Sequence, residues 1–267
     1  MEKIDVTVDE LRLSVSKKKV FVDCKKKYKF QYIEKKPRKD WDHFTFGSFS
    51  HKVLEDFHQY YIDQQDWRAE KTPRHEIMTK SFKNAIKEFK PKLTKEMISE
   101  AYNYMCLYLT TLEQEFPHVL SCEEEFNLSL GNNIKLLGFI DRVQVDDDGV
   151  LHVCDYKSSK SDKYLKNDPF QLLTYAFIML KKDPTLETVR GSYIMIKDSF
   201  KYITFDFSKE EILSIEENFL NCAVDIRTET EYEASPTSLC NWCDFMDFCP
   251  EGKSKSFNKP VFGAIAW

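Results

Sequence analysis

The stretch Gly138-Phe139-Ile140-Asp141-Arg142-Val143-Gln144-Val145-Asp146-Asp147-Asp148-Gly149-Val150-Leu151-His152-Val153-Cys154-Asp155-Tyr156-Lys157 reads as two β-strands joined by a tight turn. The flanks are rich in β-formers, and Asp147-Asp148-Gly149 suits a three-residue loop with glycine in its left-handed position. Pairing Asp146 with Val150 sets Asp141 directly opposite Asp155, which brings their Cβ atoms to about 5 Å. Lys157 lies two residues beyond Asp155 and shares its face. Two carboxylates at that separation repel unless something positive stands between them, and a divalent cation is the usual solution. Such a constellation suits metal-assisted hydrolysis of a phosphodiester.

The strand face of Asp141 also carries Leu137, Phe139 and Val143. An acid among them is costly unless paired or bound to a cation. Asp155 is the expected second ligand, the Tyr156 carbonyl a third oxygen, and Lys157 the group that acidifies or aligns the attacking water and stabilises charge at phosphorus. The competing reading is a structural Asp–Lys pair on an exposed sheet face, because Asp-x-Lys alone is a weak signal. His51 follows Gly47-Ser48-Phe49-Ser50. Its imidazole suits a ligand for Mn²⁺ or an outer-sphere partner for Mg²⁺, and equally a half-buried helix histidine. His58 reads as structural. Gln171 and Tyr175 fall one turn apart on a helix, where an amide and a phenol hold a backbone phosphate, orient a base, or pack against a sheet.

Working outward, Ser14 or Ser16 caps a helix expected from about Lys17 to Ile33, and a second helix starts near Gly47 and Ser48. Glu76 to Lys90 and Thr94 to Phe116 continue an α-rich N-terminal half. The period then changes to two over Cys122 to Leu130, Ile134 to Val145 and Val150 to Lys157. Asp168 caps a helix to Lys181 with Pro169 at its first position. Val189 to Ile196 and Lys201 to Phe207 are strands, and Ser208 caps a helix to about Glu229. The expected architecture is α/β, a mixed sheet flanked by helices. One domain spans 1–267, with a helical part at about 14–116, an αβ core at about 121–230 and a cysteine-rich tail at 236–252.

The net charge of −5 over 267 residues alone argues weakly against a nucleic-acid partner. Between Lys17 and Lys39, however, eleven basic residues face two acids, a local balance of +9 that leaves −14 for the remainder. A local basic surface binds phosphate even in an acidic chain, although such a run also fits a solvated helix face. No apolar run approaches the ~20 residues of a membrane span, and Met1 to Val6 lacks a secretion pattern. A cytoplasmic or otherwise intracellular protein without membrane association is expected. Its eight cysteines are then ligands or buried thiols rather than disulfides.

Cys240, Cys243 and Cys249, followed by Pro250, are spaced to share one metal centre. A fourth ligand comes from Cys24, Cys106, Cys122, Cys154 or Cys222. Spacing does not separate zinc from an iron–sulfur cluster. Cys106, Cys154 and Cys222 look like core, while Cys24 sits among aromatics in the basic first helix. A centre joining the two ends closes a loop of more than two hundred residues and is chiefly structural.

In combination these motifs resemble the RecB-family nucleases of the PD-(D/E)xK superfamily, in the branch with a C-terminal iron–sulfur cysteine cluster that includes AddB-type helicase–nucleases and CRISPR-associated Fe–S exonucleases. The resemblance runs from Ser14 to Pro250. It rests on one early and three late cysteines, Gly47-x-x-x-His51, Gly138-x-x-Asp141-Arg142, Asp155-x-Lys157 and Gln171-x-x-x-Tyr175. Ile140 stands where the superfamily's name has proline, and Leu239 precedes the late cysteines without the family's arginine or proline. The resemblance implies a restriction-endonuclease-like fold with its ends stapled by a [4Fe–4S] cluster on Cys24, Cys240, Cys243 and Cys249, rather than zinc. It implies Mg²⁺ or Mn²⁺ held by His51, Asp141, Asp155 and the Tyr156 carbonyl. Asp141, Asp155 and Lys157 would be catalytic, with Gln171, Tyr175 and Arg142 positioning substrate. The expected activity is a deoxyribonuclease acting exonucleolytically on single strands or DNA ends, in repair, recombination or CRISPR and phage DNA processing. No helicase region is read in the sequence, so either unwinding comes from elsewhere, with a helicase or adaptation complex as partner, or the substrate is already single-stranded; the rival reading is a non-cleaving DNA-end-binding subunit of such an assembly.

Overall fold

Alternation of side chains on a pleated strand governs this fold, because one long central strand carries the site on one face and the core on the other. The computed structural model describes residues 9–39, 41–112 and 115–254. These divide into two compact units, the first holding 9–12 and 41–218, the second 13–39 and 219–254.

In the first unit, helices α3 (Asp42–Asp63), α4 (Arg74–Phe89) and α5 (Lys95–Thr111) precede strands β2 (His118–Gly131), β3 (Ile134–Val145) and β4 (Leu151–Lys157). Helix α6 (Phe170–Lys182) then leads to β5 (Thr188–Met195), β6 (Lys201–Ser208) and α7 (Lys209–Thr228), whose residues from Phe219 onward count with the second unit. The sheet has six strands in the order β1-β3-β4-β5-β6, with β1 at Leu11–Leu13 and β2 paired along β3. The β4–β5 pair is parallel and β2–β3, β3–β4 and β5–β6 are antiparallel, so the sheet is mixed as expected. The turn holds the anticipated register: Asp146 N–H donates to Val150 O, Gly149 adopts φ +80°, and Arg142 pairs with Cys154.

Helix α3 starts at Asp42, earlier than the Gly47 start expected, and α5 ends at Thr111 rather than Phe116. Thr94 caps α5 through the Met97 N–H, and Ser208 exchanges hydrogen bonds with Glu211 at the start of α7. Helix α6 starts one residue later than expected, at Phe170 with Pro169 in the N-cap position, and the Asp168 backbone carbonyl accepts from the Tyr193 hydroxyl. The core of this unit is aromatic, with Phe49, Phe57, Tyr61 and Tyr108 essentially sealed from solvent.

Arg142 departs from its expected role. It neighbours Asp141 on β3 and therefore points to the opposite face, where it is 0% exposed. Its guanidinium donates to the hydroxyls of Tyr108 and Tyr156 at 3.0 Å and of Tyr202 at 2.8 Å. A cation so enclosed positions aromatic rings and has no route to substrate.

The second unit joins segments from both ends of the chain. Helix α1 (Val15–Asp23) is capped by Ser14, whose hydroxyl accepts from the Lys17 N–H. The single helix expected to Ile33 breaks at Cys24, which is extended at φ −164° and ψ 107°. A short α2 (Lys25–Tyr28) and a π-helical turn, Lys29–Ile33, follow. These segments therefore group with the cysteine-rich tail rather than with the other N-terminal helices. Phe30 packs on Phe245 at 5.9 Å, Tyr28 stacks on Tyr232 at 6.5 Å, and Arg38 pairs with Asp244 at 3.0 Å.

Arg142→Gln removes buried packing and leaves three phenols short of a donor. It should destabilise the fold by on the order of 3 kcal/mol, read as a melting temperature lowered by several degrees. An unchanged unfolding midpoint would refute the assigned role.

Candidate active site

Three adjacent strands place acids at one level of one sheet face. Arg142↔Cys154 continues outward to set Asp141 against Asp155, and the pairs Cys122↔Arg142 and Glu124↔Ile140 bracket Glu123 opposite Asp141. Helix α3 brings His51 over this row. The His51 Nε2 lies 2.8 Å from the Tyr156 carbonyl, which only accepts, so Nε2 carries the proton. The Nδ1 lone pair then faces Asp141 Oδ2 at 3.3 Å.

His51, Glu123 and Asp141 each offer a donor atom, all within 4.8 Å of one another, the spacing of a cation site. Burial lowers the His51 pKa and keeps its ring neutral, as a metal ligand must be. Burial, then the Asp155 charge, raises Asp141 well above the usual carboxylate range, against the hydrogen bond from the Tyr156 N–H at 2.8 Å. Glu123 is likewise raised by burial, then by Glu55 and Asp155. A lone pair aimed at a carboxylate is favourable only with a proton or a cation between them. The donor set therefore fits Mg²⁺ or Mn²⁺.

Asp155 is held from its other side. Gln171 Nε2 donates to Asp155 Oδ1 at 2.6 Å and to the Tyr175 hydroxyl at 2.7 Å, and Tyr175 in turn reaches Asp155 Oδ1 at 3.3 Å. Lys157 Nζ donates to Gln171 Oε1 at 2.8 Å and stands 2.7 Å from Asp155 Oδ2, an ion-pair distance without hydrogen-bond alignment. Gln171 and Tyr175 thus grip the Asp155 carboxylate and the Lys157 ammonium instead of reaching outward; Tyr175 is only 5% exposed. Asp141, Asp155, Lys157, His51 and the Tyr156 backbone come together as expected, whereas Arg142 does not.

Glu123 has no counterpart among the expected site residues. Counted from the Gly131↔Ile134 turn pair, the β2–β3 register sets Glu124 opposite Asp141. An irregularity between Ser129 and Gly131 shifts the ladder by one and presents Glu123 instead. Its φ of +46° is a left-handed conformation that costs a glutamate about 1–3 kcal/mol.

In the second unit, Cys24, Cys240, Cys243 and Cys249 line one pocket with Phe30 and Phe245. Burial raises the Cys243 and Cys249 thiols, and the Thr237 N–H donates to Cys240 Sγ at 3.4 Å. Cys154 and Cys222 are buried, as expected for core, whereas Cys106, also expected in the core, is exposed.

Residues 12–250 match the family model described as the PD-(D/E)XK nuclease superfamily. Among curated proteins none matches. Of solved structures, a candidate exonuclease from Eubacterium rectale superposes with a TM-score of 0.54 at 12% identity, over 94% of this chain and 99% of that one. The crystal structure of SSO0001 gives 0.42 at 15% identity, over 92% and 89%. No helix among the described residues is long and apolar enough to cross a membrane.

A carboxyl raised in the folded state weakens folding as pH climbs from the ordinary carboxylate value through the elevated one. Asp141→Asn should therefore raise the melting temperature of the metal-free protein at pH 7. It should also erase the rise that millimolar Mn²⁺ gives the wild type. A lower metal-free midpoint, or a preserved Mn²⁺ response, would contradict the site.

Proposed function

The chain belongs to the PD-(D/E)XK nuclease superfamily, and from that membership and the site geometry we propose that it is a divalent-metal-dependent deoxyribonuclease that degrades DNA from ends or single strands. The observation that carries this reading is the convergence of His51 Nδ1, Asp141 and Glu123 beside an Asp155–Lys157 pair held by Gln171.

A bound Mg²⁺ or Mn²⁺ supplies Lewis acidity at the phosphoryl oxygen and acidifies water. Asp141, Asp155 and His51 Nδ1 would hold it, with Glu123 completing the donors, while the Tyr156 carbonyl, expected as a ligand, is instead engaged by the opposite ring nitrogen and orients His51. His51 is fixed for this by its Nε2–H bond to that carbonyl. Lys157, locked between Asp155 and Gln171, aligns the attacking water and stabilises charge growing at phosphorus. Exonucleolytic action, and service to a helicase or an adaptation complex, are part of this proposal.

The four cysteines are proposed to hold a [4Fe–4S] cluster. Their sharing of one pocket with Phe30 and Phe245 supports a common metal centre, and the family resemblance favours a cluster over zinc. The second unit, composed of both chain ends, would then be stapled by the cluster, with the lysine-rich first helix beside it as a surface for DNA.

Lys157→Ala and Asp141→Ala should each lower Mn²⁺-dependent cleavage of end-labelled single-stranded DNA about 10²–10⁴-fold with the fold intact. Cleavage at the wild-type rate would refute the site, and tight binding without any cleavage by the wild type would favour the end-binding role. Separately, protein purified without oxygen should be brown and contain iron and sulfide. Cys24→Ser should lose that colour, and stoichiometric zinc in a colourless wild type would refute the cluster.

A further inference from the structure

Helix α4 has two contrasting faces. Ile77, Met78, Phe82 and Ala85 are buried in the core, while Lys80, Lys83 and Lys87 are exposed on the other side. The three lysines sit three and four residues apart and so form a single row. His75, Glu76, Thr79 and Asn84 line the same shallow groove, so one carboxylate stands at its start beside three ammonium groups. Like charges at those spacings destabilise a helix unless something anionic meets them. Glu76 and Glu88 are the acids of this helix, and none of the three ammonium groups makes an ion pair among the described residues. Lys80 instead stands over the Tyr60 ring at 5.7 Å.

The row has a direction. Lys80 lies by Tyr60, near the C-terminal end of α3, while Phe82 and Phe89 pack on Phe49 at 5.2 and 6.0 Å. Helices α3 and α4 therefore run antiparallel, and Lys87 lies toward the N-terminal half of α3, whose Phe49 faces α4 while His51 faces the sheet. Seven residues at 1.5 Å each give a row of about 10 Å. One nucleic-acid strand advances roughly 3.4 Å per phosphate along its axis, so this length matches about three phosphates.

We propose that Lys80, Lys83 and Lys87 form a track for the sugar–phosphate backbone of a DNA strand. This rests on the nuclease reading above and adds the surface by which substrate is gathered. Contacts of this kind carry no base specificity; they set affinity and its salt dependence.

The test measures binding of fluorescein-labelled oligo(dT) by anisotropy between 50 and 200 mM KCl, in an Asp141→Ala background so that no strand is cut. Neutralising all three lysines (Lys80→Gln, Lys83→Gln, Lys87→Gln) should make the slope of log affinity against log salt shallower by about 2. The ratio of parent to variant affinity should then fall about 16-fold across that range. The corresponding arginine variants should restore the slope. Parallel slopes for parent and triple glutamine variant, with an unchanged melting temperature, would overturn the track, as would a parent protein that binds no DNA. The binding readout is independent of chemistry. Wild-type protein that binds with the predicted slope yet never cleaves would refute the nuclease reading and leave the track standing.

Discussion

Repulsion among carboxylates is the force around which this sheet face is organised. Glu123, Asp141 and Asp155 lie side by side on β2, β3 and β4, with the central acid largely withdrawn from water. Coulomb repulsion at this range in a poorly polarisable surrounding is large, and each neighbouring group answers it. The Tyr156 N–H donates to Asp141, Lys157 stands against Asp155, and Gln171 and Tyr175 bond its other oxygen. Those protein groups leave Asp141 with a raised pKa, and a divalent cation would complete the compensation. The strained backbone at Glu123 is a cost carried in the same place.

Tyr156 ties the two faces of the sheet together. Its N–H holds Asp141 and its carbonyl orients His51, both on the reactive side. Its phenol crosses to the other side and accepts from Arg142, which also binds Tyr108 and Tyr202. Tyr108 bonds His58 at 2.6 Å, seven residues along α3 from His51. The helix that delivers the histidine and the strand that delivers the carbonyl are thus braced by one buried polar network. Such backing fixes the relative positions of His51, Asp141 and the Tyr156 backbone.

The second unit solves a different problem. Its helices are short, α1 and α2 together spanning little more than three turns, and a small core rarely sustains such segments alone. Aromatic contacts between Phe30 and Phe245 and between Tyr28 and Tyr232 bring the two chain ends together. Cys24 interrupts the first helix where its sulfur joins the other three around a shared pocket. A centre bound there would stabilise the unit in proportion to its affinity for the folded form.

Local periodicity and turn chemistry were enough to read the β3–β4 hairpin, the opposition of Asp141 and Asp155, and the pairing of Gln171 with Tyr175 on one helical face, because each depends on short-range geometry. The same alternation implied that Arg142 points away from Asp141, although the family motif suggested a substrate role. Three features had no local signature. The presence of Glu123 in the site follows from a register shift eight residues away, which no count from the turn anticipates. The break at Cys24 follows from packing against residues more than two hundred positions later. The grip of Gln171 and Tyr175 on Asp155, rather than on a ligand, follows from how α6 lies across the sheet. Period and turn type are properties of a few neighbouring residues, whereas register slips, helix breaks and side-chain partners are decided by what the completed sheet and core bring into contact.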